Sequence, residues 1–157
     1  MAENQSFAEY FPPAGYNFGV SLYGMDGPDS MWQEISGLEV EHEVEPITEG
    51  GINGHVYRLP TRVKFQNLVL KRGLMASGSP MSMWVQSILL NNLADLIVPL
   101  DLSVSLYDDH GSEVMGWTFI RAYPVKWKIS DFNAQENKIV TETIEFAYQF
   151  FKSSLPI

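Results

Sequence analysis

Four glutamates alternate through the stretch Gly37-Leu38-Glu39-Val40-Glu41-His42-Glu43-Val44-Glu45. In extended chain, successive side chains point to opposite faces. Glu39, Glu41, Glu43 and Glu45 therefore share one face, and Leu38, Val40, His42 and Val44 share the other. Carboxylates two residues apart on a strand lie roughly 6.5–7 Å apart at the backbone, so Glu41 and Glu43 are spaced to face one sugar ring. Glycoside hydrolysis, however, needs its two carboxylates in different environments, which separate their pKa values. Four glutamates in one row look equivalent. Like charges side by side repel, so the row implies a compensating feature: facing cations, a solvent channel or a catalytic site.

Other chemistry is poorly represented. His42, His55 and His110 match no metal-ligand spacing. The chain has no cysteine, which excludes disulfides, thiolate metal sites and thiol nucleophiles. Gly50-Gly51-Ile52-Asn53-Gly54 lacks the Lys-Ser/Thr of a phosphate-binding loop, and no helix follows it, so it reads as a flexible loop. Asp101, Asp108 and Asp109 read as strand polarity and turn chemistry. The net charge is −9, and phosphate binding is dominated by Lys and Arg, so no stable nucleic-acid binding is expected. No cofactor, no metal and no catalytic residue is predicted.

The elements that must position the glutamate row follow from alternation and punctuation. With 157 residues and 45% apolar content, the chain fits a single domain, 1–157, with a real core. Residues 1–15 read as an N-terminal arm ending in Pro12-Pro13-Ala14-Gly15. Its start, MAENQSFAEYFPPAGY, has no basic opening and no apolar run, so no signal peptide is predicted. No stretch approaches the ~20 apolar residues of a membrane span, and no membrane insertion is expected. Tyr16 to Leu22 alternates as a first strand. A second runs from Trp32 to Glu45, and its parity shifts between Ile35 and Leu38, which predicts a bulge near Ser36-Gly37. A Gly-rich loop over 46–60 follows. It contains a short extended piece from His55 to Leu59 that Pro60 stops.

Arg62 to Arg72 reads as one longer strand. Ser79-Pro80 is a helix start, a hydroxyl cap before proline at the first helical position. Met81, Trp84, Val85, Ile88 and Leu89 then repeat at helical spacing to about residue 92. Strands are predicted over Leu100–Leu106, Val114–Tyr123 and, beyond an interruption at Pro124, Val125–Ile129. Asp131 to Asn137 is a hairpin loop, and a long last strand carries Val140, Ile144, Phe146, Tyr148 and Phe150 on one face. The sum is a mainly β domain, a sandwich or barrel of seven or eight strands with one flanking α-helix at about 80–92. If the second strand pairs antiparallel with the Arg62–Arg72 strand, Glu43 and Glu45 come near Arg62 and Lys64. Each such pair is worth a few tenths to ~1 kcal/mol.

Several motifs together resemble one family. They are Gly37-Leu38-Glu39-Val40, Glu49-Gly50-Gly51-Ile52-Asn53, Leu59-Pro60, Asn67-Leu68-Val69-Leu70-Lys71-Arg72-Gly73, Ala122-Tyr123-Pro124-Val125-Lys126-Trp127, Ser130-Asp131-Phe132-Asn133-Ala134 and Thr143-Ile144-Glu145-Phe146-Ala147-Tyr148. Their order and spacing, from about Pro12 to Phe151, are similar to the inner tail-tube proteins of contractile phage tails and of phage-tail-like extracellular contractile injection systems. The resemblance implies a non-enzymatic structural subunit. It implies hexameric rings stacked into a hollow tube, a contractile sheath around it, and baseplate and spike proteins at its end. It also implies protein cargo or phage DNA in the lumen. The subunit would be made in the bacterial cytoplasm and built into a phage tail or injection particle.

On that reading Glu39, Glu41, Glu43, Glu45, Arg62 and Lys64 are lumen or subunit-interface candidates. Gly50, Gly51, Ile52, Asn53 and Gly54 are candidates for contact with an adjacent subunit or ring, and Asp131 and Asn133 for the other ring face. Two alternatives stay open. One is a monomeric β-barrel binding module or carbohydrate-active enzyme using the Glu39–Glu45 row. The other is a secreted effector or chaperone ring, as the haemolysin-coregulated proteins of type VI secretion resemble.

Overall fold

The computed structural model describes residues 15, 17–25, 29, 32–51, 54–75, 78–91 and 96–154. Almost all of the expected N-terminal arm, Tyr16 of the first strand, Ile52 and Asn53 of the Gly-rich loop and residue 92 of the expected helix lie outside the described residues. Within them the chain forms β1 (Phe18–Leu22), β2 (Trp32–Ser36), β3 (Val40–Ile47), β4 (Tyr57–Phe65), β5 (Leu68–Gly73), α1 (Pro80–Leu90), β6 (Leu100–Tyr107), β7 (Glu113–Ile129), β8 (Thr141–Ala147) and β9 (Phe150–Ser154).

Seven strands make one antiparallel sheet in the order β1-β6-β7-β8-β5-β2, with β9 also on β7. The 17-residue β7 holds the sheet together. Its first part pairs with β6 and β9, and its last part pairs with β8. Between the two parts Arg121 adopts a left-handed φ of 53°, a corner that lets one strand serve both halves. Alternate residues of the strands fill one core: Val20 and Leu22, Leu68 and Leu70, Leu102 and Val104, Ile144 and Phe146, with Phe119 of β7. The helix closes over it with Met81 and Val85, and Trp84 stacks on Phe146 at 6.0 Å between ring centroids. Ser79 caps the helix as expected, its hydroxyl accepting from the Ser82 amide at 3.1 Å, with Pro80 in the first turn.

Several boundaries differ from the sequence reading. The expected Trp32–Glu45 strand is two strands, β2 and β3, separated at Gly37–Glu39 rather than bulged. The expected Arg62–Arg72 strand divides at Gln66–Asn67 into β4 and β5. The two breaks face each other, so β2 pairs with β5 in the main sheet and β3 pairs with β4 in a separate two-stranded ribbon. Pro60 does not stop a strand: it lies inside β4, opposite Val44 at a register shift. Pro124 likewise sits inside β7 at a register shift. Both prolines are tolerated where the ladder is already irregular and no N–H is needed. The last strand ends at Ala147, and β9 follows after Tyr148–Gln149. These divisions bring the count to nine among the described residues.

Candidate assembly surface

The glutamate row lies on the β3–β4 ribbon, and every residue of β3 is exposed. All of β4 is exposed except half-buried Phe65 at its root. Directly opposed residues of an antiparallel pair share a face. One face carries Val40 opposite Phe65, His42 opposite Val63 and Val44 opposite Pro60. The other carries Glu41 opposite Lys64, Glu45 opposite Leu59 and Ile47 opposite Tyr57. The first face also carries Arg58 opposite Pro46; its apolar part is uncovered, with Val40 50% exposed and Val63 49%.

The pairing is antiparallel as expected, but the charge register is not the expected one. Lys64 faces Glu41, and Glu45 faces Leu59. The register at the ribbon root places Lys64 opposite Glu41, and a bulge follows it: between His42–Val63 and Val44–Pro60, β4 has one residue more than β3. Glu43, Thr61 and Arg62 fall within that bulge, and the Thr61 hydroxyl donates to the Glu43 carbonyl at 3.1 Å. Among the described residues no ion pair links Glu39, Glu41, Glu43 or Glu45 to a basic side chain. The four share one exposed environment, which does not supply the contrast an acid and base pair needs. Nor does any group of three or more potential metal ligands occur among the described residues.

Two features fix the ribbon at its root. Gly37 has φ +89°, and a Cβ there would sit 1.9 Å from the Asn67 carbonyl oxygen, so only glycine lets the two breaks touch. The Tyr148 hydroxyl donates to the Gln66 carbonyl at 2.6 Å, and the Tyr148 and Phe151 rings pack on Phe65. Burial pushes the Tyr148 hydroxyl above its ordinary pKa.

A buried polar cluster ties β2 and β5 to the core at their other ends, where Trp32 pairs with Arg72. Arg72, fully buried on β5, lies 4.3 Å from the ring centroid of Trp32, its partner on β2. Its Nε donates to Glu142 at 2.5 Å, one Nη to Asp29 at 3.0 Å, and the other to the Ser79 and Ser82 hydroxyls at 2.5 and 2.6 Å. Trp127 Nε1 donates to the second Glu142 oxygen at 3.2 Å. Sequence reasoning did not assign this cluster. Its signal was present: Arg72 shares parity with Leu68 and Leu70, and Glu142 with Ile144 and Phe146. Opposite charges at two core positions implied a buried pair.

Gly50, Gly51 and Gly54 occupy the ribbon tip between β3 and β4, all exposed. Asp131 and Asn133 lie elsewhere, in the 130–140 segment, exposed from 131 to 139, where Asn133 Oδ1 accepts from the Gln135 amide. The β5 register separates the two places. The ribbon leaves β5 at Leu68, which pairs with Phe146, whereas Gly73 at the other end pairs with Thr141, and the Leu74 amide donates to the Val140 carbonyl. Ribbon and 130–140 segment thus emerge from opposite ends of the same strand. The latter also presents exposed apolar residues, Phe132 at 77% and Ile139 at 79%.

A family model described as T4-like virus tail tube protein gp19 matches residues 14–152. Among solved structures, a chain of the anti-feeding prophage baseplate is 27% identical, with TM-score 0.82 over 93% of this chain and 97% of that one. A chain of the sheath–tube complex of PVC, an extracellular contractile injection system, in its extended state is 24% identical, with TM-score 0.77 over 95% of each chain. Hcp1 from Flavobacterium johnsoniae shares the fold more distantly, at 17% identity and TM-score 0.51 over 88% of this chain and 94% of that one. No curated protein sequence is matched.

Proposed function

The chain belongs to the T4-like virus tail tube protein gp19 family, and from that premise we propose that it is the ring-forming subunit of the inner tube of a contractile injection apparatus. The observation that carries this reading is the β3–β4 ribbon. It projects from the sheet with an apolar face that its own chain leaves half exposed. A two-stranded ribbon is marginally stable alone in water and gains stability from a surface that covers it. A second copy supplies that surface, and a head-to-tail contact of this kind closes into a ring when its rotation closes. Six copies make the ring, and stacked rings make the hollow tube.

In the ring, Glu39 and Glu41 face the lumen or the junction between subunits. Glu43, Glu45, Arg62 and Lys64 belong to the same junction. The ribbon tip, with Gly50, Gly51, Ile52, Asn53 and Gly54, reaches the adjacent subunit or ring. The 130–140 segment, with Asp131 and Asn133, serves the opposite ring face, because it leaves the other end of β5. The tube is enclosed by a sheath protein, ends at baseplate and spike proteins, and carries protein cargo or DNA without binding nucleic acid stably. The particle is a phage tail or an extracellular injection system, supported by the baseplate and sheath–tube chains the fold matches. The role is structural, with no reaction assigned to the glutamate row.

The experiment is assembly with a charged ribbon. Val44→Glu and Val63→Glu, singly and together, place carboxylates on the apolar face outside the core. The wild type should give rings by native mass spectrometry and electron microscopy. The double variant should remain monomeric, with a melting temperature within ~2 °C of wild type, as expected of surface substitutions. Deleting residues 50–54 should leave a folded chain that does not stack. Normal rings and tubes from both variants would remove the ribbon from the interface.

A further inference from the structure

The main sheet begins with β1 and ends with β2, and the sheet curls so that these two edge strands approach one another. Among the described residues a single bridge joins the two sides of the seam. The Asp29 amide, just ahead of β2, donates to the Val20 carbonyl of β1 at 2.6 Å. Beyond the bridge the seam is an open apolar slot, lined by Phe18 and Leu106 on one side, Ile35 and Leu38 on the other, and Trp117.

Asp29 is held on its other side by side-chain bonds. One oxygen accepts from Arg72 at 3.0 Å, and the second accepts from the Ser79 hydroxyl at 3.0 Å. It differs from the other members of the cluster in two ways. Its side chain is 13% exposed, whereas those of Arg72 and Glu142 are 0% and 2% exposed. It is also the surplus charge. Arg72 and Glu142 neutralise one another, and both serines and the Trp32 ring stay with Arg72 if Asp29 leaves. Loss of Arg72 instead strands the Glu142 carboxylate in the core, which is strongly unfavourable. The cluster therefore has a fixed half and a releasable half.

We propose that Asp29 is a clasp on the seam of the sheet, holding β1 to β2 and releasing them without unfolding the core. An unpaired strand edge is a template for a second chain. The clasp holds two such edges together at the bridge, so that they do not part and template a second chain. This inference does not depend on the ring reading, since it concerns the single chain.

Hydrogen–deuterium exchange on the full chain tests it, with Asp29→Asn and Asp29→Ala compared with wild type. Exchange in peptides spanning β1 and β2 should rise at least ~10-fold, as expected when a local opening is freed of a charge-assisted hydrogen bond. Peptides from β8 and α1 should stay within about twofold of wild type. Arg72→Leu, by contrast, strands Glu142 and should raise exchange everywhere. A uniform rise in the Asp29 variants, their failure to fold, or unchanged exchange in β1 and β2 would each overturn the proposal.

Discussion

Gly37→Ala probes the joint on which the whole arrangement turns. Two costs add there. A non-glycine residue at φ +89° pays about 1–2 kcal/mol for the left-handed backbone. The new Cβ also meets the Asn67 carbonyl oxygen at 1.9 Å and its carbon at 2.9 Å. Ordinary contact starts near 3.4 Å, so the gap to be opened is 3.4 − 1.9 = 1.5 Å. The obstacle is backbone at the start of β5, not the end of a flexible side chain. Moving it disturbs the Leu68–Phe146 pairing and the Tyr148–Gln66 hydrogen bond next to it.

The sum should reach about 3–5 kcal/mol, the range of substitutions with a named severe mechanism. For a chain of this length that is a fall of roughly 6–20 °C in melting temperature. Gly24→Ala provides the control. Gly24 has φ +84° but nothing within 4 Å of its added Cβ, so it pays the backbone cost alone. Thermal melts followed by circular dichroism compare the two. A Gly37→Ala variant no less stable than Gly24→Ala would refute the close approach and the fixed ribbon root with it.

Two further substitutions test the joint and the corner of the sheet. Tyr148→Phe removes the bond to the Gln66 carbonyl and should cost about 1 kcal/mol at neutral pH. Burial raises the Tyr148 pKa above 10.0, so the folded chain keeps a proton that the unfolded chain releases. That contribution is full below pH 10.0 and is lost as pH rises beyond it; urea midpoints across this range should fall less steeply in Tyr148→Phe than in wild type. Arg121→Gly relieves the left-handed φ of 53° and leaves the residue-121 amide bonded to Asp101, so the stability read from urea unfolding should be unchanged or higher, by up to about 1 kcal/mol. A clear loss of stability would show that the Arg121 side chain, not its backbone, makes the corner.

The sequence carried the class of fold and the helix well, because both rest on local signals. Ser79-Pro80 followed by apolar residues at helical spacing needs no partner to be read. The glutamate row was equally visible, since alternation places Glu39, Glu41, Glu43 and Glu45 on one face regardless of the neighbour. What failed was information that belongs to pairs of segments. Gly37 signalled a disturbance, but only its contact with Asn67 turns that disturbance into a break between two sheets. Thr61 gives no sign in the sequence that a bulge takes Arg62 out of direct pairing with Glu43, and nothing local shows the root register that sets Lys64 opposite Glu41. Pro60 and Pro124 read as stops because proline removes a donor, and both lie where the register shift leaves no donor required. The Arg72–Glu142 pair lay within reach of parity reasoning, whereas Asp29, far from both in sequence, did not.

Electron microscopy of the purified chain at high concentration tests the central claim most directly. The account predicts six-fold rings or hollow tubes, with Val40, Val44 and Val63 covered by a neighbouring copy and Glu39 and Glu41 on the lumen or the subunit junction. A stable monomer under those conditions, or rings in which the β3–β4 ribbon stands free on the outer surface, would contradict it.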